Sequence, residues 1–326
     1  MTKKILTGMK ATWEGLHLGN YLWGLKNFLD FSKGQDAYIF LADLHSLTTV
    51  KDPKIMRKNR KAMLLDYFSL IPENRLEEIT IYEQSKITHI NNITWVLNSV
   101  TPYSLMLRAH SFKDSQNKNS EINMATFNYP ILMAADIIAY DFDIVPLWKD
   151  QTQHLEFARD IAEKFHKTYK CEVFKLPQIH CDKELMTIPG LDWRKMSKSY
   201  DNDIKVFEQP KALKKKIMSI VTWSETLEEV KNPENCNVFA LIKLFASQEK
   251  QDEIAAKYRA GNYWYGHAKL ELLEILKDVI EPFRKRKEFL ENNFDIIEKK
   301  LEEWNIKMNK LASEKYEKLL EITWLK

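Results

Sequence analysis

Short apolar runs alternate with helical patterns through the first two hundred residues, and this alternation constrains the fold more than any other feature. The clearest run is Ala37–Ala42 (AYIFLA), which is apolar without interruption, as strands buried on both faces are. Lys4–Met9, Ile79–Tyr82 and Ile144–Leu147 are predicted as further strands, with helical spacing between them. Strands that alternate with helices predict an α/β domain with a parallel sheet.

The second part of the chain lacks this alternation. From Pro210 onward the apolar residues follow helical spacing, and no segment has the pattern of a strand. We therefore predict an α/β domain over residues 1–205 and an all-helical domain over 206–326, with the last helix free to pack back onto the first domain. At roughly 100–200 residues per domain, the length of 326 residues agrees with two domains.

Composition excludes several classes of protein. Lysine and arginine total 49, aspartate and glutamate total 46, and the net charge of +3 neither requires nor excludes a nucleic-acid partner. No apolar stretch approaches the roughly 20 residues of a membrane span, and the N-terminus lacks the apolar region of a secretory signal. Cys171, Cys181 and Cys236 are widely spaced, so we expect reduced thiols in a cytoplasmic protein and no metal site.

The first candidate ligand-binding segment follows the first strand. Gly8 lies at the end of that strand, and His17, Gly19 and Asn20 stand where the next helix begins. Ligands of parallel sheets bind at the carboxyl ends of the strands, and the free N–H groups of a helix N-terminus attract phosphate. A histidine there is suited to donate to developing charge, although a lone histidine at a helix start more often caps or packs.

The second candidate segment is Arg194–Ser199 (RKMSKS), at the predicted domain boundary. A loop that carries Lys195 and Lys198 is suited to neutralise a triphosphate while its charge redistributes. An exposed basic loop without a ligand explains the same residues, so this segment alone does not decide between the two interpretations.

A carboxylate in an apolar helix marks the third candidate segment. Tyr129–Tyr140 is apolar almost all round and is predicted as a buried helix, yet Asp136 lies within it. Burying a charge is costly unless it is paired, so Asp136 needs a donor, either a protein group or an N–H group of a ligand. His45 follows the AYIFLA strand at the same edge of the sheet, as a ligand contact or as a hydrogen-bonded loop residue.

In this order, the segments resemble a class I aminoacyl-tRNA synthetase: H-x-G-N first, K-M-S-K-S at the end of the α/β domain, and helices afterwards. Within that class, the stretch 129–154 (YPILMAADIIAYDFDIVPLWKDQTQH) is similar to the tryptophanyl-tRNA synthetases of bacteria. The segments ADLHSLT and NPENCNVFALIKLFA fit the same family. The resemblance covers nearly the whole chain and implies a Rossmann-like catalytic domain followed by a helical domain that binds the tRNA anticodon.

The resemblance also implies an activity and its partners. It implies that L-tryptophan is activated with ATP and Mg²⁺ to tryptophanyl-adenylate and then transferred to the tryptophan tRNA. Mg²⁺ would arrive with ATP rather than at a metal site of the protein. A cytoplasmic homodimer without membrane association is implied as well. In such a reaction, positioning and charge stabilisation carry the rate, and the protein does little covalent chemistry.

Matching the family motifs residue by residue gives each candidate site residue a role. The catalytic residues implied are His17, Asn20, Lys195 and Lys198. The ATP-binding residues implied are Lys10, Thr12, Gly19, Lys113, Asp150, Met196 and Ser197. The tryptophan-binding residues implied are Gly8, His45, Tyr129, Met133, Asp136, Val145 and Gln151, with Asp136 as the acceptor of the indole N–H. Ser115 departs from the family, which often has a second lysine there.

Other functions stay open at this point. A paralogue that kept the fold but lost catalysis would act as an RNA-binding protein. The tyrosine-specific relative is disfavoured by Asp136, because tyrosine has no indole N–H to pair with a buried charge. A nucleotidylyltransferase shares a similar histidine motif, but it lacks a K-M-S-K-S loop joined to a helical domain.

Tryptophan occupies five positions at which the family has glycine: Trp13, Trp23, Trp148, Trp193 and Trp264. The chain has 8 glycines and 9 tryptophans, whereas glycine usage averages about 7%. We hypothesise that these positions are UGA codons that the source organism reads as glycine. True substitution with local repacking is the alternative, and UGG codons in the gene would rule out the hypothesis. The spacing from Thr12 to His17 is also one residue longer than the family's.

Overall fold

The computed structural model describes residues 2–12, 15–109, 123–146, 152–180 and 188–326. Their contacts divide the chain into two compact units. The first unit comprises Met1–Glu14, Phe28–Lys183 and Asn293–Lys326, and the second comprises Gly15–Asn27 and Glu184–Asn292. This division differs from the predicted boundary at 205/206, because segment 15–27 groups with the later residues and the C-terminal segment groups with the earlier ones.

One parallel sheet forms the centre of the first unit. Its strands are β1 (Lys4–Met9), β2 (Asp36–Leu41), β3 (Ile79–Glu83), β4 (Ile144–Pro146) and β5 (Gln178–His180). They are arranged in the order β3-β2-β1-β4-β5, and every pairing is parallel. The α/β class with a Rossmann-like sheet is therefore confirmed. The three residues of β5 lie outside the predicted strands, since QIH is too short to show a period.

Helices connect the strands and make up the rest of the regular structure. In chain order the described helices are α1 (Asn27–Phe31), α2 (Asp43–Ser46), α3 (Pro53–Leu70), α4 (Glu73–Leu76), α5 (Ile90–Val100), α6 (Tyr103–Met106), α7 (Met124–Ile138), α8 (Thr152–Tyr169), α9 (Pro210–Met218), α10 (Asn237–Phe245), α11 (Gln248–Ala260), α12 (Tyr265–Asn292) and α13 (Phe294–Ile322). A π-helical stretch, Asn20–Lys26, precedes α1. None of the described helices combines the length and apolarity that crossing a membrane takes.

The core of the first unit lies between the sheet and helices α5, α7, α8 and α13. Leu6 of β1 and Tyr82 of β3 contribute side chains from the sheet. Met308 and Leu319 of α13 belong to the same buried cluster. Lys315 of α13 is also buried and donates from Nζ to a carboxylate oxygen of Asp141 at 2.7 Å and to a backbone carbonyl at 2.8 Å. The C-terminal helix is thus part of the sheet-bearing unit.

A short antiparallel contact joins the early and late segments of the second unit. His17 pairs with Lys205, and the backbone N–H of Leu18 donates to the carbonyl of Ile204 at 2.8 Å. Beyond Pro210 every regular element of the described chain is helical, as the sequence predicts. This strand-like contact explains why segment 15–27 belongs with residues far away in sequence.

Helix α13 ends in a turn that normally contains glycine. The backbone N–H of Leu325 donates to the carbonyl of Leu320, and that of Trp324 donates to the carbonyl of Glu321. These two bonds define a Schellman motif, in which the residue after the cap is left-handed and usually glycine. Trp324 occupies that position with a φ of 58° and is 92% exposed. Trp324 therefore occupies a position that favours glycine, although it is not one of the five tryptophans at glycine positions of the family.

Candidate active site

A cavity of about 250 Å³ lies in the first unit at the carboxyl ends of β1 and β4. The strand order reverses between these two strands, and ligands of open parallel sheets bind at such a reversal. The lining includes six residues that the motifs implied: Gly8, Lys10, His45, Tyr129, Met133 and Val145. Phe40 and Ile137 add further apolar surface. Half of the twelve lining residues are therefore ones that the sequence motifs implied.

Gly8 has a steric reason to be glycine. A Cβ atom at this position would overlap the ring of Phe40, which lines the same cavity from β2. Glycine allows the two neighbouring strands to present a backbone edge and an aromatic ring side by side. The close approach shapes the floor of the cavity.

Asp136 lies on the helix that brings Met133 and Ile137 to the cavity, and it is 2% exposed. Its Oδ2 accepts a hydrogen bond from Nε2 of Gln84 at 2.7 Å and lies 2.9 Å from Nε2 of His45. Burial raises the pKa of Asp136, and the hydrogen bonds from His45 and Gln84 act against that shift. The donor that the sequence argument required is therefore supplied by the protein, on one carboxylate oxygen. The predicted helix around Asp136 is confirmed as α7, which begins at Met124.

Tyr129 connects several polar groups at the cavity wall. Its hydroxyl lies 3.4 Å from Nε2 of His154, and its ring stands edge-on to the ring of His45 at 4.9 Å. Nζ of Lys10 lies over the Tyr129 ring, 4.6 Å from its centroid. Burial raises the pKa of Tyr129 to about 12 and lowers the pKa of Lys10. Tyr129 is consequently a neutral phenol near pH 7. His154 also lines the cavity, and the sequence motifs assign it no role.

The second unit holds a separate group of implied residues around His17. The backbone N–H of Asn20 donates to Nδ1 of His17 at 3.1 Å, so a neutral His17 carries its proton on Nε2. Burial is the main cause that lowers the pKa of His17 to about 4, and the charges of Lys198 and Lys195 act in the same direction against Asp203. His17 is therefore a neutral N–H donor at physiological pH.

Gly19 and the lysine loop lie close to this histidine. A Cβ on Gly19 would lie 2.9 Å from Cε1 of His17 and 3.8 Å from Cβ of Met196, so glycine is required for this packing. Nζ of Lys198 donates to the backbone carbonyl of Gly15 at 2.8 Å. The structure thus brings the H-x-G-N and K-M-S-K-S segments together within one unit.

Asn202, which the sequence analysis did not single out, organises the lysine loop. Its Oδ1 accepts from the backbone N–H of Ser197 at 2.8 Å, and its Nδ2 donates to the carbonyl of Lys195 at 3.2 Å. Asn202 is 2% exposed, and Nδ2 also donates to Asp192 at 2.6 Å. The Ser197 side chain in turn accepts from the N–H of Ser199 at 3.3 Å. Buried amide hydrogen bonds therefore fix the backbone of the loop.

Of the remaining implied residues, one lies among the described residues and three do not. Thr12 lies in the first unit, three residues beyond the end of β1. Lys113, Asp150 and Gln151 lie outside the described residues, so their assignments stay predictions. Among the residues that are described, no group of three histidine, cysteine, aspartate or glutamate side chains is arranged to hold a metal ion.

Trp193 precedes the lysine loop in a backbone conformation that favours glycine. Its φ is 70°, and its side chain is 38% exposed. A side chain in this left-handed region meets its own backbone, which is why glycine predominates there. Trp193 and Trp324 together support the hypothesis that tryptophan replaces glycine in this sequence. Trp23 and Trp264 have negative φ, and Trp13 and Trp148 lie outside the described residues.

The comparisons with known proteins agree with this arrangement. The model of the family "tRNA synthetases class I (W and Y)" matches residues 2–281. The tryptophan–tRNA ligase of Fusobacterium nucleatum is 42% identical over 323 residues, which span 99% of this chain and 98% of that protein. The enzyme of Campylobacter jejuni strain RM1221 is 36% identical over 318 residues, which cover 98% of both chains.

Solved structures give the same result. The crystal structure of the Campylobacter jejuni tryptophanyl-tRNA synthetase complexed with ADP and tryptophan has a TM-score of 0.92, 36% identity and 98% coverage of each chain. The Mycoplasma pneumoniae enzyme shares the fold with a TM-score of 0.80 at 23% identity, over 100% of this chain and 99% of that one. This chain belongs to the class I tRNA synthetases for tryptophan and tyrosine. The resemblance to the bacterial tryptophanyl-tRNA synthetases that the motifs indicated is confirmed.

Stability below neutral pH should depend on His17. Its pKa is about 4 in the folded chain and near 6.5 unfolded, so the unfolded chain takes up the proton first and stability falls from about pH 6.5 to 4. The shift corresponds to at most about 3 kcal/mol. When the pH is lowered from 7 to 4.5, the free energy of unfolding should therefore fall less for His17→Gln than for the original protein, as measured by urea denaturation. An identical pH dependence in both proteins would contradict this explanation.

Replacing Trp193 or Trp324 by glycine should stabilise the chain. Each change relieves a left-handed side chain, which costs about 1 kcal/mol, so the thermal midpoint should rise by about 1–3 °C. The matched controls are Trp193→Ala and Trp324→Ala, which remove the ring but keep the Cβ that causes the strain. Alanine variants as stable as the glycine variants would show that the ring, rather than the backbone, is responsible.

Proposed function

We propose that this protein activates L-tryptophan with MgATP and transfers the tryptophanyl group to the tryptophan tRNA. The observation that carries the proposal is the buried carboxylate of Asp136 beside an apolar cavity at the reversal of the sheet. The 42% identity to a tryptophan–tRNA ligase and the Campylobacter structure with ADP and tryptophan support the same conclusion.

The cavity fits the tryptophan side chain chemically. Met133, Val145 and Phe40 offer apolar surface to the indole ring. Asp136, which contacts the cavity-lining His45, would supply an acceptor for the indole N–H. An amino acid without that N–H would leave the buried carboxylate without its substrate partner, which lowers binding through the cost of an unmade hydrogen bond. Lys10 and Tyr129, together with Gln151 from the family motif, would bind the polar end of the amino acid.

The residues around His17 suit the triphosphate of ATP. His17 would donate from Nε2 to a phosphate oxygen without bringing a positive charge of its own. Gly19, Asn20, Met196 and Ser197 would hold the nucleotide, together with Thr12, Lys113 and Asp150 from the motifs. Lys195 and Lys198 would stabilise the negative charge that develops on the bridging oxygen of the departing pyrophosphate.

The reaction would proceed in two displacements. A carboxylate oxygen of tryptophan attacks the α-phosphorus, the bond from this phosphorus to the bridging oxygen breaks, and pyrophosphate leaves with its magnesium. A hydroxyl of the terminal ribose of the tRNA then attacks the activated carbonyl carbon, and AMP leaves. Orientation of the reacting groups and stabilisation of charge supply the acceleration.

We further propose that the protein is a cytoplasmic homodimer whose helical part binds the tRNA. Three successive helices of the first unit expose large apolar side chains: Trp95 on α5, with 77% exposed, Tyr103 on α6 and Met124 on α7, each with 68% exposed. Exposed apolar side chains of this size are typical of protein interfaces. This surface is therefore proposed as the contact between two copies.

Exchange of radiolabelled pyrophosphate into ATP should depend on tryptophan and not on tyrosine. Asp136→Ala should reduce kcat/KM for tryptophan by about 10- to 100-fold, since a hydrogen bond to a charged group contributes about 1.5–3 kcal/mol. The KM for ATP should change little. The exposed Asp160→Ala serves as the control and should exchange normally. Tyrosine-dependent exchange, or none with tryptophan, would contradict the proposal.

The proposed dimer makes a prediction about mass. Light scattering after gel filtration should give twice the chain mass of 38.6 kDa. A double variant, Trp95→Glu with Tyr103→Glu, should give the monomer mass, because two charges would have to be buried in the interface. Trp324→Glu, at another exposed tryptophan, should stay dimeric. A monomeric original protein would refute the assignment of this surface.

A further inference from the structure

Gln84 is a buried residue to which the family motifs assign no role. It follows β3 directly at the carboxyl end of that strand and is 1% exposed. Its Nε2 donates to Oδ2 of Asp136 at 2.7 Å, and its Oε1 accepts from the backbone N–H of His45 at 3.3 Å. Both ends of the amide are therefore bound to residues beside the cavity.

An amide is chemically suited to this position. Asp136 already lies 2.9 Å from Nε2 of His45, and the two donors meet at the same oxygen, Oδ2. Two donors on one oxygen fix the rotation of a carboxylate about its last bond. Glutamine adds this constraint without adding a charge, and it does not lose its donor proton at any physiological pH.

His45 supports the same network from its other side. Its Nδ1 is buried and has no hydrogen-bond partner among the described residues. The position of the ring is then set by its Nε2 contact to Asp136 and by the backbone bond from Gln84 to the N–H of His45. Gln84 thus acts on the carboxylate directly and also through the segment that carries His45.

We propose that Gln84 is a positioning residue for tryptophan selection, which holds the Asp136 carboxylate so that Oδ1 is presented to the indole N–H. The proposal rests on the proposed function, since it requires tryptophan in the cavity. In this role Gln84 contributes to the preference for a side chain with an N–H group. This contribution is separate from the apolar fit of the indole ring. Gln84 itself does not touch the substrate.

The decisive experiment compares two substrates that differ in one atom. L-Tryptophan has the indole N–H, whereas 3-(benzothienyl)-L-alanine has sulfur in its place and cannot donate. In pyrophosphate exchange, Gln84→Leu should lower kcat/KM for tryptophan about 10-fold and for the sulfur analogue less than 2-fold. The control Gln251→Leu removes a glutamine in the second unit that donates to the carbonyls of Lys243 and Ala246. It should leave the ratio of the two substrates unchanged.

A second variant tests the same role through pH. Gln84→Glu places a carboxyl group against Asp136, and two adjacent carboxylates resist ionising together. When protonated, the new group again donates to Oδ2, so activity relative to the original protein should rise severalfold between pH 8 and pH 6. This profile keeps the inference testable if Gln84→Leu fails to fold, since a purely structural defect would not recover on acidification.

The possible outcomes distinguish a failure of the positioning role of Gln84 from a failure of the proposed function. An equal loss of exchange with both substrates in Gln84→Leu, or no loss with either, overturns the positioning role while the original protein still exchanges with tryptophan. A pH-independent defect in Gln84→Glu overturns it as well. Absence of tryptophan-dependent exchange in the original protein instead refutes the proposed function, and the inference with it.

Discussion

The buried carboxylate of Asp136 is the constraint on which the arrangement of the first unit depends. A charged group inside an apolar helix is tolerated only where donors reach it. Here the donors come from two other parts of the chain, His45 after β2 and Gln84 after β3. The hydrogen bonds therefore tie α7 to the carboxyl ends of two neighbouring strands, and one of the donors, His45, lines the candidate tryptophan cavity.

The two candidate site segments differ in the charge that they hold. In the first unit the buried carboxylate of Asp136 is held by side-chain contacts from His45 and Gln84, which suits recognition of an N–H group. In the second unit burial and nearby lysines keep His17 neutral, with its pKa at about 4. A neutral donor leaves Lys195 and Lys198 as the cations of that segment, which suits a substrate whose negative charge is redistributed during the reaction.

Much of this organisation follows from periodicity and from the rule that ligands lie at the carboxyl ends of parallel strands. The uninterrupted run AYIFLA became β2, and the need of Asp136 for a donor was evident from its apolar neighbours. The identity of the donor was not, because Gln84 meets Asp136, 52 residues further along the chain, only after α7 has packed against the end of β3. The same position could have been suspected from its place directly after β3. The grouping of segment 15–27 with residues beyond 184 depends on a backbone pairing that leaves no periodic trace.

A crystal structure of the protein with L-tryptophan would show whether Asp136 accepts a hydrogen bond from the indole N–H. We expect the indole ring between Met133 and Val145, with its nitrogen within about 3 Å of Oδ1 of Asp136. Gln84 and His45 should keep their contacts to Oδ2. An indole nitrogen that faces another group or solvent, with the carboxylate paired only to protein donors, would show that Asp136 does not select tryptophan through its N–H.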